Sequence, residues 1–181
     1  MQLAVFLDRD GVINKTKIKC GKPFPPANIS QLEIIPGVKE SLDALHDAGF
    51  LIIVITNQPD VSRGKALKVD VDLINHFLMK HLSIDEFRTC FHDDVDKCEC
   101  RKPLPGNILN AAKKFDINLS QSFMVGDRWR DIEAGISAGC KTIFIDYKYN
   151  EKQPLTWDFK VSSLSEATDL ILGIGDKNEK Y

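Results

Sequence analysis

The sequence predicts an α/β fold, Rossmann-like, with a mainly parallel sheet and helices on both faces. Three observations carry that expectation. Short apolar runs without alternation, Leu3 to Leu7 and Leu51 to Ile55, read as strands buried on both faces of a sheet. Between such runs lie segments with apolar residues at helical spacing, two of them opened by Pro-Gly and two closed by Gly. Three runs end on polar groups suited to phosphate or metal: Asp8 after the first, Thr56 after the second, and Asp127 after Ser122 to Val125. Ligands of open α/β sheets bind beyond the carboxyl ends of the strands.

At 181 residues the chain suits one domain over 1–181 and is too short for two full ones. Hydrophobic content of 43% and charged content of 28% fit a soluble globular protein. No apolar run approaches the ~18 residues of a membrane span. Seven residues precede Asp8, too few for a secretory signal, so a cytoplasmic location is expected. A net charge of -2 and a pI near 6.1 give no general attraction for nucleic acid or membrane. Of five cysteines, Cys90, Cys98 and Cys100 crowd beside His92, which suits a metal site in a reducing compartment better than a disulfide framework.

The elements follow in order. Lys15 to Ile35 has no periodicity and reads as a loop, long enough to be a flap over a site. Val38, Leu42 and Leu45 share one face of a helix that Gly49 stops, and His46 falls on its polar side. After the second strand, Pro59 to Lys68 is a second loop, and Val71 to Leu82 is a helix packed on the sheet. Phe87 to Phe91 is a short strand feeding the cysteine cluster. Pro105-Gly106 opens a helix with Ile108, Leu109, Ala112 and Phe115 on one face. Ser122 to Val125 is a strand, Trp129 to Ala138 a helix closed by Gly139, and Lys141 to Ile145 a fifth strand. A short helix near Leu164 to Leu172 looks peripheral, and the tail over 174–181 is expected to fray.

A parallel sheet would bring Asp8, Thr56 and Asp127 to one edge, and Lys102 lies on the loop before the helix that precedes Asp127. Carboxylates gathered around a hard cation, with a hydroxyl and a lysine nearby, suit a phosphoryl group, and the cation expected is Mg²⁺. Cys90-Phe91-His92 and Cys98-Glu99-Cys100 supply three thiols and an imidazole with no obvious open position, the donor set of a structural Zn²⁺ site in the loop 90–100.

Asp8-Arg9-Asp10-Gly11, Ile55-Thr56-Asn57, Lys102-Pro103 and Gly126-Asp127 with Asp131 resemble the four ordered motifs of the haloacid dehalogenase (HAD) superfamily. The resemblance implies that Asp8 is the nucleophile, forming an aspartyl-phosphate, and that Asp10 protonates the leaving alcohol and then activates water. It implies Mg²⁺ held by the Asp8 carboxylate, the Asp10 carbonyl and Asp127, with Asp131 behind them. Thr56 and the Asn57 amide would bind phosphoryl oxygens, and Lys102 would offset their charge.

A zinc loop running into Cys100-Arg101-Lys102-Pro103 is similar to two phosphatase families of this superfamily, one acting on D-glycero-D-manno-heptose 1,7-bisphosphate and one on histidinol phosphate. Both lack a large cap domain, so the loops 15–35 and 59–68 are expected to set specificity. Asn57-Gln58 followed by Ser62-Arg63-Gly64-Lys65 looks like the heptose family, whereas the five residues between His92 and Cys98 look like the histidinol family. The favoured expectation is a monomeric 7-phosphatase for the heptose bisphosphate. Its small phosphorylated substrate would be met by Asn57, Gln58, Arg63, Lys65, Arg101 and Arg128. An inactive HAD-like, zinc-containing interaction module is the remaining reading.

Overall fold

All four side chains of β1 (Ala4–Leu7) are apolar and fully buried, so this strand has to lie where both faces are covered. It takes the centre of a six-stranded sheet. The computed structural model describes residues 1–178 of the chain. A hairpin of β2 (Lys17–Lys19) and β3 (Lys22–Phe24) follows β1, and then come α1 (Val38–Asp47), β4 (Leu51–Asn57), α2 (Lys68–His81) and β5 (Glu86–Cys90). The second half runs α3 (Gly106–Phe115), β6 (Phe123–Gly126), α4 (Trp129–Ala138), β7 (Lys141–Ile145), β8 (Phe159–Val161) and α5 (Leu164–Asn178).

The sheet order is β5-β4-β1-β6-β7-β8, and each neighbouring pair is parallel. The chain builds outward from β1 through β4 to β5, then returns to the other side of β1 to lay down β6, β7 and β8. The direction of winding therefore reverses at β1. That reversal opens a crevice at the carboxyl ends of β1, β4 and β6, where open α/β sheets bind ligands.

Alternation along the strands divides the core into two layers. Val5, Leu7, Ile52, Val54 and Val125 face α1, α2 and α5 through Leu42, Leu45, Ile74, Leu78 and Ile171. Ala4, Phe6, Ile53, Ile55 and Met124 face α3 and α4 through Ile108, Ala111, Ala134 and Ala138. Among the described residues no helix is long and apolar enough to cross a membrane.

The structure departs from the sequence reading in three places. Residues 15–35 are not a bare loop, because β2 and β3 pair antiparallel across Cys20-Gly21. Both turn residues have positive φ, 51° and 73°, which suits the right-handed twist of a two-residue hairpin. A sixth strand, β8, extends the sheet beside β7. The last helix is not peripheral, since Leu164, Ala167 and Ile171 are buried in the core; it runs on to Asn178, beyond the Leu172 that the apolar spacing marks, and residues 179–181 of the expected frayed tail lie outside the described residues.

Candidate active site

Asp8 follows the last residue of β1, Thr56 lies near the end of β4, and Asp127 follows the last residue of β6. Lys102 reaches them from the loop before α3. Its Nζ lies 2.9 Å from Asp8 Oδ1 and 2.6 Å from Asp131 Oδ1, and it donates to the Ile55 carbonyl at 2.6 Å. Burial works against the Lys102 ammonium, but the Asp131 and Asp8 carboxylates outweigh it and hold its pKa above the ordinary value. Asn57 fixes the lysine's main chain. Its Oδ1 accepts from Lys102 N at 3.1 Å and its Nδ2 donates to Lys102 O at 3.0 Å.

Burial raises the Asp8 carboxyl to about 6, with Asp131 and Asp10 adding to the effect and Lys102 opposing it. Asp8 Oδ1 also accepts from the Arg9 N–H at 2.8 Å. Asp127 is raised well above the carboxylate range, by burial first and then by Asp8 and Asp131. Its Oδ2 accepts from the Tyr149 hydroxyl at 2.8 Å, while Oδ1 is buried with no hydrogen-bond partner. A Cβ on Gly11 would lie 1.9 Å from Asp127 Oδ2, and Gly11 has φ +94°, so glycine is required there on both counts.

One oxygen from each of Asp8, Asp127 and Asp131 falls within 4.8 Å of the others. Three buried carboxylates with one lysine among them are short of positive charge, and a hard divalent cation fits that deficit. Both oxygens of Asp131 are already engaged, Oδ1 with Lys102 and Oδ2 with the Arg128 N–H at 2.9 Å at the start of α4. Asp8 and Asp127 are therefore the better placed to meet an ion.

Asp10 is held by three neighbours. Arg9, fully buried, donates to both of its oxygens at 3.0 to 3.2 Å, Asn14 Nδ2 donates at 3.0 Å, and Gln58 Nε2 donates at 2.7 Å. The same Gln58 nitrogen lies 2.8 Å from Thr56 Oγ1, so one amide spans the acid and the hydroxyl. Arg9 is in turn fixed by Asn75 Oδ1 at 2.9 Å.

A cleft of about 240 Å³ opens over this cluster, lined by Asp8, Asp10, Asn57, Gln58 and Lys102 and by four cations more exposed than Asp8 and Lys102. Those cations are Lys22 from β3, Arg63, Arg128 and Arg130. Arg128 donates to Glu151 through Nε at 2.7 Å and again through Nη2, and Arg63 donates to Asp93 at 2.6 and 2.5 Å. Two residues named for substrate are not brought to the cleft. Lys65 is exposed and stands outside its lining, because the turn at 59–66 points it outward. Arg101 turns away from it to the cysteine loop 90–100, where its Nε meets Asp94 Oδ1 at 2.8 Å.

That loop closes on itself. Cys90 Sγ lies 3.7 Å from Cys98 Sγ, 3.2 Å from Cys100 Sγ and 3.7 Å from His92 Nδ1. Cys100 Sγ is 3.5 Å from Cys98 Sγ and 3.3 Å from His92 Nδ1. The edges of a tetrahedron around Zn²⁺ with thiolate bonds of about 2.3 Å would be about 3.8 Å, so the four donors are gathered as such a centre requires. Cys90 is anchored as the last residue of β5, and Cys100 stands two residues before Lys102.

Among the residues of the site that escape the sequence reading are Arg9, Arg130 and Tyr149. Arg9 stands inside the Asp8-Arg9-Asp10 motif, where its position between two carboxylates was the available signal. Arg130 stands one position before Asp131 on a helix whose apolar face draws attention instead. Tyr149 arrives from a segment without periodicity.

The model of the haloacid dehalogenase-like hydrolase family matches residues 26–139. A D-glycero-beta-D-manno-heptose-1,7-bisphosphate 7-phosphatase of Helicobacter pylori is 34% identical over 93% of this chain and 96% of its own. The enzyme of the same name from Escherichia coli K12 is 34% identical over 77% of this chain and 76% of its own. Among solved structures, the D,D-heptose 1,7-bisphosphate phosphatase from B. bronchiseptica complexed with magnesium and phosphate superposes with a TM-score of 0.80. It is 26% identical and covers 96% of this chain and 99% of that one.

Proposed function

The chain belongs to the haloacid dehalogenase-like hydrolases and is a phosphoric monoester hydrolase, and from that premise we propose that it removes the 7-phosphate of D-glycero-D-manno-heptose 1,7-bisphosphate. The observation that carries the reading is a buried Asp8, held by Lys102, in a cleft that the more exposed cations Lys22, Arg63, Arg128 and Arg130 also line. A bisphosphate brings one phosphoryl group to Asp8 and a second to such cations. The similarity to heptose bisphosphate phosphatases over most of the chain supports the same substrate.

In this reading an Asp8 oxygen attacks phosphorus in line with the leaving alcohol, the P–O bond to carbon 7 breaks, and Asp10 gives that oxygen its proton. Asp10 then takes a proton from water, which cleaves the aspartyl-phosphate to inorganic phosphate and frees Asp8. Gln58 keeps Asp10 and Thr56 in register through both steps. Lys102 offsets the charge of the transferring group. Asp8 and Asp127, with the Asp10 carbonyl, would hold Mg²⁺, whose chemistry is to screen nucleophile from anionic substrate and to neutralise charge on the phosphoryl oxygens. Cys90, His92, Cys98 and Cys100 would hold Zn²⁺ as a structural ion. The groups named all come from one chain, so a monomer would suffice.

The test is Mg²⁺-dependent phosphate release from both anomers of the heptose 1,7-bisphosphate and from histidinol phosphate, with Asp8→Asn beside the wild type. The expected result is turnover of a bisphosphate anomer, lost by at least about 1,000-fold in Asp8→Asn. Preference for histidinol phosphate would replace the substrate, and full activity in Asp8→Asn would remove the nucleophile.

A further inference from the structure

The two oxygens of Asp127 stand in different surroundings. Oδ2 is walled in by Gly11, whose absent Cβ would sit 1.9 Å away, and by the Tyr149 hydroxyl at 2.8 Å. Oδ1 is buried and has no hydrogen-bond partner. A buried carboxylate oxygen left without a donor is costly, and in a cluster of three carboxylates a cation is the partner that resolves it.

Tyr149 is held in place from several directions. The next residue, Asn150, donates its N–H to the Gly21 carbonyl of the β2-β3 turn at 2.8 Å. Glu151 is clasped by Arg128, the residue after Asp127. The Tyr149 ring packs at 5.6 Å from that of Tyr147. The hydroxyl is thus delivered to Asp127 Oδ2 by a segment fastened to both the hairpin and the start of α4.

Mg²⁺ is small and demands six oxygens at about 2.0–2.1 Å, each occupying one direction, whereas Ca²⁺ takes six to eight at longer range and accepts both oxygens of one carboxylate. We propose that Tyr149 is a metal-selectivity residue: by occupying Asp127 Oδ2 it leaves Oδ1 alone for the cation and so favours Mg²⁺ over Ca²⁺. This rests on the reading of Asp127 as a metal ligand. Tyr149 is a positioning residue here, since it touches the ligand and not the reacting atoms.

The test uses the full chain with its cysteine-held metal retained and the exchangeable divalent ion removed. Wild type, Tyr149→Phe and Asp127→Asn are titrated separately with Mg²⁺ and Ca²⁺ by calorimetry. Tyr149→Phe keeps the ring and removes only the hydroxyl. The expected result is a several-fold loss of Mg²⁺ affinity and a rise of about tenfold in the preference for Ca²⁺ relative to Mg²⁺, the scale of one charge-assisted hydrogen bond. A ratio within twofold of the wild type overturns the role of Tyr149 while leaving the metal assignment standing. A wild type with no Mg²⁺ site, or a site that Asp127→Asn leaves intact, overturns the metal assignment and this role with it. Should Tyr149→Phe fail to fold, the infrared difference spectrum of Asp8→Asn chain with ¹³C-labelled aspartate, with and without Mg²⁺, decides, because Asp127 is then the ligating aspartate side chain that remains. A wide splitting of the carboxylate stretches marks binding through one oxygen and supports the role; a narrow one marks binding through both and overturns it.

Discussion

Single residues in the cleft differ in how much of their charge is spent within the protein. Arg63 is paired at 2.5 Å with Asp93, whose carboxyl is lowered to about 2 by that hydrogen bond first, and Arg128 is clasped by Glu151. Among the described residues Arg130 makes only long hydrogen bonds, 3.3 and 3.4 Å to Asp94 and 3.3 Å to the Lys102 carbonyl, and its guanidinium lies over the Trp129 ring at 4.7 Å. It is the arginine of the cleft freest to meet a second phosphate. Arg130→Ala is expected to lower kcat/KM on the heptose 1,7-bisphosphate by about tenfold to a hundredfold, the worth of a charge-assisted contact. Turnover of the heptose 7-phosphate, which lacks the other phosphate, should change by less than about threefold. An equal loss on both substrates would place Arg130 at the reacting group or in the fold instead. The sequence could name Arg63, Arg128 and Arg101 as cations near the motifs, but it carries no sign of which ones internal carboxylates will neutralise. That is decided by Asp93, Asp94 and Glu151: Asp94 is 7 residues from Arg101, but Asp93 and Glu151 lie 30 and 23 residues from Arg63 and Arg128.

At the scale of elements, those same pairs fasten the cysteine loop that is proposed to hold zinc. Arg63 grips Asp93, and Arg101 grips Asp94, so residues 93–94 are fastened between the turn after β4 and the segment before Lys102. The four soft donors close the rest. Lys102 is two residues from Cys100, so loosening this loop is expected to disturb an ammonium that Asn57 fixes from the other side. Removing the ion with a strong thiol-competent chelator, or replacing Cys98 with serine, is expected to expose the amides of 91–104 to hydrogen exchange and to lower kcat by about a hundredfold. Elemental analysis should then show the loss of one zinc per chain. Unchanged exchange in 91–104 after the metal is gone would mean that the arginine pairs alone hold the loop. This loop was legible because cysteine and histidine at such spacing have few other uses. The β2-β3 hairpin was not, since Lys17 to Lys19 and Lys22 to Phe24 lie on the surface and bury no face that would impose alternation on them. The strand β8 is three residues long, too short for periodicity to register.

For the whole molecule, the reversal of winding at β1 puts Asp8, Thr56 and Asp127 at one edge, and this could be read from the sequence because it needs only strand ends and a parallel sheet. What the sheet assembles there carries a cost. Burial raises Asp8 to about 6 and moves Asp127 in the same direction, whereas in the unfolded chain both titrate near 3.8. Between those values the native protein holds protons that the unfolded chain has released, so stability of the metal-free protein falls as pH rises from about 4 through 6. Lys102 stays charged across this window and does not alter the sign. A cation that binds the ionised carboxylates offsets the cost where they are ionised, and competes with protons where they are not. The rise in melting temperature on adding Mg²⁺ is therefore expected to be larger at pH 7.5 than at pH 5. Comparing melts with and without the ion at each pH isolates what the ion adds from every effect that is the same in both. An equal rise at both pH values would mean that the cluster is ionised in the native state without a metal, and that Lys102 alone balances it.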